Sequence, residues 1–287
     1  MTWYEGYLDA NGISIHYVRT GGDKPPVILA HGAGDDGLCW IRVTKELEDA
    51  YDVILPDARG HGRTTGGDDD FSTNARVADM VAFIETLDLH QPAFGGHSMG
   101  ADTGLHLAAY HPDLLGQLIM EDPPMVLQGE RMFGGRIGER MGDSPKLLLT
   151  AMRVFRLLPR SILTPIARKV MPGCPDDEII PWVNSKKRVQ PAFLKSSATM
   201  LDPDHSALDV IGLITAPALL FRGDRDLGGI VSEAAAQAAV DAVPSLRVVH
   251  LPGVGHDIRR GQFNLYMAAV KDFLASTAVH RPGLGDA

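Results

Sequence analysis

The chain has 287 residues, 45% of them hydrophobic and 22% charged, with a formal charge of −9 at pH 7. That is ample apolar material for one sizeable core, and the acidic balance argues against polyanionic partners such as nucleic acid, which want a basic face. The basic run Lys186-Lys187-Arg188 is too short to change this and reads as solvated surface. Cys39 and Cys174 lie far apart and read as free thiols in a reducing compartment. The opening MTWYEGYLDANG lacks the basic and apolar stretches of a secretory signal, and no apolar run approaches the ~20 residues that cross a bilayer. The expectation is a cytoplasmic protein with no membrane partner and no cofactor; a homodimer is left open.

In chain order, Asn11-Gly12 suits a type I′ turn between strand-like WYEGYL and ISIHYV. VILAHG (27–32) and YDVILPD (51–57) are short apolar runs separated by a helical stretch near 40–50. Val77, Met80, Val81, Ile84 and Leu87 recur at helical spacing and predict a helix from Ser72 to about Leu87. PAFGGHS (92–98) reads as strand and turn, followed by a helix through Ala109 and a strand at GQLIMED (116–122). From Pro123 to about Asp209 no comparable strand appears, and a segment of that length needs helices of its own. The alternation resumes with APALLFRGD (216–224), SEAAAQAAVDAV (232–243), RVVHLPG (247–253) and a last helix from Gln262 to about Ser276. The tail HRPGLGDA reads as frayed. Alternating strands and helices predict an α/β fold with a mostly parallel sheet and helices on both faces. The core is expected over 1–122 and 210–287, interrupted by a helical lid over 123–209.

Gly96-His97-Ser98-Met99-Gly100 matches G-x-S-x-G between a buried strand and a helix. A serine on so tight a turn has its hydroxyl pushed out above the sheet, and only glycine fits on either side. The following helix aims its positive end at the site. His31-Gly32-Ala33-Gly34 closes an earlier strand, and acyl transfer needs two N–H donors for the developing oxyanion; the backbones of Ala33 and Met99 are the candidates. Gly255-His256-Asp257 follows the last strand, and its imidazole is the candidate general base for Ser98. His31, Gly32 and His97 lie within reach and, with Met125 and Trp182, form the expected substrate-facing set. No metal-ligand spacing appears.

The elbow, the His31 loop, Pro56-Asp57-Ala58-Arg59-Gly60-His61-Gly62 and the late Gly255-His256 together resemble the α/β-hydrolase superfamily, over all but the lid. The similarity is greatest to the capped branch of esterases, perhydrolases and C–C bond hydrolases. By resemblance Asp57 and Arg59 carry no catalytic role. The family's usual acid resembles Asp226, the preferred orienting carboxylate, although Leu227-Gly228-Gly229-Ile230-Val231 follows where relatives often have a proline sooner. Asp122 is the alternative, at a strand end where haloalkane dehalogenases and certain lactonases carry their acid; Glu121 should face the other way. The resemblance implies a carboxylesterase-like serine hydrolase cleaving esters, lactones or thioesters through an acyl-enzyme. Perhydrolase, C–C hydrolase or lyase chemistry on the same triad is the alternative, and a non-catalytic small-molecule receptor the further one. The lid residues Met125, Met132, Phe133, Met152, Phe155, Met171, Trp182 and Phe193 are candidate pocket wall.

Overall fold

The computed structural model describes residues 3–141, 145–196 and 207–278; the tail predicted to fray lies outside them. Strands β1 (Tyr4–Ala10) and β2 (Ile13–Arg19) form the expected hairpin, Ala10 opposite Ile13. Asn11 and Gly12 both take positive φ, 49° and 75°, as a type I′ turn requires. Then come β3 (Pro26–Ala30), β4 (Asp52–Pro56), the short β5 (Thr65–Gly66), β6 (Ala93–His97), β7 (Gln117–Glu121), β8 (Ala218–Arg222) and β9 (Arg247–His250). The sheet order is β1-β2-β4-β3-β6-β7-β8-β9, with β5 on β2. All pairings from β4 to β9 are parallel, and β2 joins β4 antiparallel.

The first helix, α1 (Ile41–Leu47), lies in the chain between β3 and β4, and successive strand residues feed opposite faces. Ile28, Ile54, Phe94, Leu118 and Leu220 pack with α2 (Thr73–Thr86) and α3 (Met99–Tyr110) in one cluster. Val27, Leu29, Val53, Ile119, Leu219 and Phe221 pack with Trp40 and Val43 in the other. Strands covered on both sides read as unbroken apolar runs, as these do. Truncating the fully buried Phe94 to alanine should cost about 3–5 kcal/mol. Ser72 caps α2 by accepting the N–H of Ala75.

Between β7 and β8 the described regular elements are all helices, chiefly α4 (Gly135–Met141), α5 (Pro145–Leu157), α6 (Arg160–Val170), α7 (Asp176–Arg188), α8 (Pro191–Lys195) and α9 (Ala207–Val210). In α7 three acids occupy the first turn and three cations the last, matching the helix dipole. The fold closes with α10 (Glu233–Ala242) before β9, and with α11 (Ile258–Gly261) and α12 (Phe263–Ala278) after it; α12 packs on the second cluster through Tyr266, Val270 and Phe273. Among the described residues no helix is long and apolar enough to cross a membrane. Cys39 and Cys174 are free thiols, both buried.

His97 pairs with Glu121 at the carboxyl ends of β6 and β7. Ser98 and Asp122 therefore leave adjacent strands at one level, at the end of a parallel sheet where ligands bind.

Candidate active site

Ser98 has φ 52° and ψ −115°, a backbone conformation that side-chain-bearing residues rarely hold, and it is half-buried between buried neighbours. Its N–H is tied to the Glu121 carbonyl at 2.9 Å, and its own carbonyl accepts the Asp102 N–H at 2.9 Å, starting α3. The flanking glycines are dictated by close approach. A Cβ on Gly96 would lie 2.3 Å from the carbonyl carbon of Gly100, and one on Gly100 would lie 2.3 Å from the carbonyl oxygen of Ala30.

The loop after β3 stands against this elbow: a Cβ on Gly32 would lie 3.4 Å from the Ser98 Cβ. Its peptides are held one by one. His31 accepts the Ala58 N–H on Nε2 at 3.0 Å, so its proton is on Nδ1, which donates to the Gly32 carbonyl at 2.9 Å. His61 accepts the Gly34 N–H at 2.9 Å; burial, with the nearby His31, pushes its pKa down to about 3 and keeps it neutral. Among the described residues neither the Ala33 nor the Met99 N–H donates to a protein acceptor.

Of the two candidate acids, the structure brings Asp122 and not the preferred Asp226 to His256. Asp226 is exposed on the 3₁₀ turn Arg225–Leu227, whereas Asp122 is fully buried with Oδ2 2.7 Å from His256 Nδ1. The loop that lacks a proline explains the exchange. It curls back so that the N–H groups of Ile230 and Val231 donate to the two Asp122 oxygens, at 2.9 and 3.0 Å. A buried carboxylate needs such donors. Asp122 also takes a positive φ of 46°. Glu121 does face the other way: it receives the Arg259 backbone N–H and Nη1, each at 2.8 Å. Consecutive acids at the end of β7 thus grip the His256 loop from both sides.

Burial pulls the His256 imidazole down, but the hydrogen bond and charge of Asp122 outweigh it, and its pKa stands above the ordinary 6.5. With Nδ1–H donated to Asp122, the Nε2 lone pair is left to take a proton. His97, next to Ser98, stacks its ring 4.5 Å from that of His256 and donates Nε2–H to the His256 carbonyl at 3.1 Å. Burial, reinforced by His256 and Arg259, holds His97 well below its ordinary pKa. Among the described residues no hydrogen bond joins Ser98 to His256; such contacts in ligand-free sites commonly tighten only when substrate binds.

The expected substrate-facing set divides. Gly32 borders Ser98, and His97 braces His256. His31 is 1% exposed with both ring nitrogens committed to the fold, Met125 is fully buried in the main core, and Trp182, half-buried, packs inside the helical segment against Phe155. Other residues of the helical segment do reach the site. The Phe133 ring stands edge-on 5.4 Å from His256, and Met152 closes on Gly34. Met152 and Phe193 join Met99 and Ala33 in one apolar cluster.

Sequence reading also missed a buried ionic network. Lys186 and Arg188, read as solvated surface, both reach the loop after β3 from the end of α7. There Lys186 bonds the Asp35 carboxylate, and Arg188 reaches Asp36 at 2.6 Å. Asp35 also receives Arg260 at 3.0 Å, and Arg260 reaches Glu178 of α7 at 3.1 Å. Burial alone would raise the Asp35 pKa, but Lys186 and Arg260 hold it well below the usual carboxylate value. The only sequence signal was charge density: Asp35-Asp36 in the glycine loop and Arg259-Arg260 beside His256.

A strained serine beside an Asp-oriented histidine and two unoccupied N–H donors can carry out nucleophilic acyl transfer. Residues 27–262 match the model of the alpha/beta hydrolase family, and the chain belongs to that family. It is 27% identical over 274 residues to N-formylmaleamate deformylase of Pseudomonas putida, covering 94% of this chain and 96% of that protein. It is 24% identical over 276 residues to 2-(acetamidomethylene)succinate hydrolase of Mesorhizobium japonicum, covering 93% and 94%. The crystal structure of N-formylmaleamic acid deformylase from Pseudomonas putida S16 superposes with a TM-score of 0.75 at 22% identity, over 94% of this chain and all of that one, which is a likeness of fold.

Proposed function

We propose that the protein is a serine hydrolase in which Ser98 attacks a carboxylic acyl carbon, His256 moves the proton, and Asp122 orients His256. The observation that carries this reading is the 2.7 Å bond from Asp122 to His256 beside the strained Ser98 turn. His256 Nε2 removes the Ser98 proton, the oxygen attacks the carbonyl, and the Ala33 and Met99 N–H groups receive the oxyanion. His256 then protonates the leaving group, and water releases the acid by the same route in reverse. The helical segment 123–209 acts as a lid, with Phe133 and Met152 over the reacting groups. Esters, lactones and thioesters fit this machinery, as a carboxylesterase-like enzyme.

A second reading, amide hydrolysis, is favoured by full-length similarity to a deformylase and to an acetamido-group hydrolase. Its substrates would be small N-formyl or N-acetyl amides bearing a carboxylate. One panel tests both: p-nitrophenyl acetate, butyrate and octanoate beside N-formyl and N-acetyl amides of small unsaturated carboxylic acids. Ester turnover lost in Ser98→Ala supports the first reading, and amide turnover exceeding it supports the second. Turnover of neither class by folded protein contradicts both.

A further inference from the structure

We propose that Lys186, contributed by the helical segment, is a positioning residue that orients and polarises the Ala33 N–H through a relay of two peptide groups. This rests on the reading of Ser98 as nucleophile and Ala33 as an oxyanion donor. Lys186 is 6% exposed, and its ammonium donates to the Gly34 carbonyl at 2.9 Å. The peptide bond is planar and trans, so the N–H of the same unit, that of Asp35, points the opposite way. It donates to the Gly32 carbonyl at 3.1 Å. The N–H of that second unit belongs to Ala33, and it faces away from the carbonyl so held.

The order is therefore ammonium, peptide, peptide, oxyanion, every donor pointing toward the reaction. Hydrogen bonds in series polarise one another, most at low dielectric and with a charge at the head. Side groups brace both peptides: His31 Nδ1 adds a second donor to the Gly32 carbonyl, and His61 holds the Gly34 N–H. The Asp35 carboxylate lies between Lys186 and Arg260 of α11, so the negative charge nearest Lys186 is shared with a second cation. A buried ion pair is weak evidence for a stabilising role, whereas its geometry fixes one arrangement of the loop.

The test compares Lys186→Met, Lys186→Gln and Lys186→Arg by melting temperature, by kcat and KM on p-nitrophenyl acetate, and by affinity for a phenylboronic acid, whose tetrahedral adduct mimics the oxyanion. The relay predicts that Lys186→Met lowers kcat roughly 10- to 100-fold, less than loss of an oxyanion donor itself, with KM within about threefold and boronate affinity falling with kcat. Lys186→Arg recovers most of the loss, and Lys186→Gln, which keeps a donor without charge, falls between. If Lys186→Met does not fold, Lys186→Gln decides. Folded variants with wild-type kcat, or with losses confined to KM or melting temperature, overturn the relay. Fluorophosphonate labelling of wild-type Ser98 separates the two claims: without it the site reading itself fails, and with it an inert Lys186 removes only the relay.

Discussion

Asp122 and His256 stand 134 residues apart in the chain and 2.7 Å apart in space, with the carboxylate completely buried and the imidazole one-fifth exposed. The bond fixes the proton on Nδ1 and turns Nε2 outward. It also ties the end of β7 to the loop after β9, while the amides of Ile230 and Val231 donate to both oxygens of the carboxylate. Three chain segments therefore agree on one histidine orientation.

Replacing Asp122 by Asn should remove the preference for the correct tautomer and lower kcat by about 10³- to 10⁴-fold, as in other triads. Asp226→Asn alters an exposed carboxylate and should leave kcat within about twofold. Steady-state kinetics on one good ester distinguish them. Equal losses, or a greater loss for Asp226→Asn, contradict the assignment.

Catalysis needs neutral His256, and its pKa is raised above 6.5 by Asp122 against the opposing pull of burial. Activity should accordingly rise with pH through a midpoint above 6.5. In Asp122→Asn the raising partner is gone while burial remains, so the residual activity should titrate at lower pH. A pH profile of kcat/KM in both proteins checks this, and an acid limb that stays in place or moves upward argues against the pairing.

Gly96→Ala should break the elbow rather than merely weaken it. Its Cβ would meet backbone, 2.3 Å from the Gly100 carbonyl carbon and 2.5 Å from the Ala101 nitrogen, and backbone there cannot yield without moving Ser98. A stability loss of about 1–3 kcal/mol, together with near-complete loss of activity, is expected from denaturant unfolding and assay of the folded fraction. Wild-type kcat in this variant would mean that the elbow is not the catalytic turn.

Acid should destabilise the protein earlier than its carboxylates alone dictate. His61 and His97 are buried, with pKa values pushed down, His61 to about 3. Below pH 6.5 the unfolded chain binds protons that the native state refuses, so stability falls as pH falls, by about 1.4 kcal/mol per pH unit for each histidine. His256, whose pKa is raised, is protonated in both states below 6.5 and offsets none of this there, whereas Asp36, pushed up by burial to about 6, takes its proton in the native state first and offsets about one histidine's share below pH 6. Urea unfolding at pH 7, 6 and 5 measures the slope; a flat profile over that window contradicts the burial of these rings as neutral groups.

Legibility in the sequence followed the range of the interactions. The Asn11-Gly12 hairpin, the buried strands, the Ser98 elbow and the Ser72-capped helix are set by neighbours in the chain, and periodicity or turn chemistry reveals them. His256 was legible because a glycine-histidine after the last strand has few places to go. The choice between Asp122 and Asp226 was not, because it depends on whether the loop 227–231 turns its amides toward β7. The ionic network was hidden for the same reason: Lys186, Asp35 and Arg260 come from three distant segments, and a lone lysine run looks like surface until a helix face is buried. His31, Met125 and Trp182 were read by proximity to motifs, whereas packing commits them to the interior or to the helical segment.

The central claim is that Ser98 is the nucleophile activated by His256 and Asp122, and covalent labelling tests it most directly. The protein is treated with a fluorophosphonate, and the adduct is located by peptide mass spectrometry in wild type, His256→Ala, Asp122→Asn and Asp226→Asn. A single adduct on Ser98 is predicted, forming at the wild-type rate in Asp226→Asn and orders of magnitude more slowly in the other two variants. An adduct on another residue, or labelling of Ser98 indifferent to His256, would contradict the account.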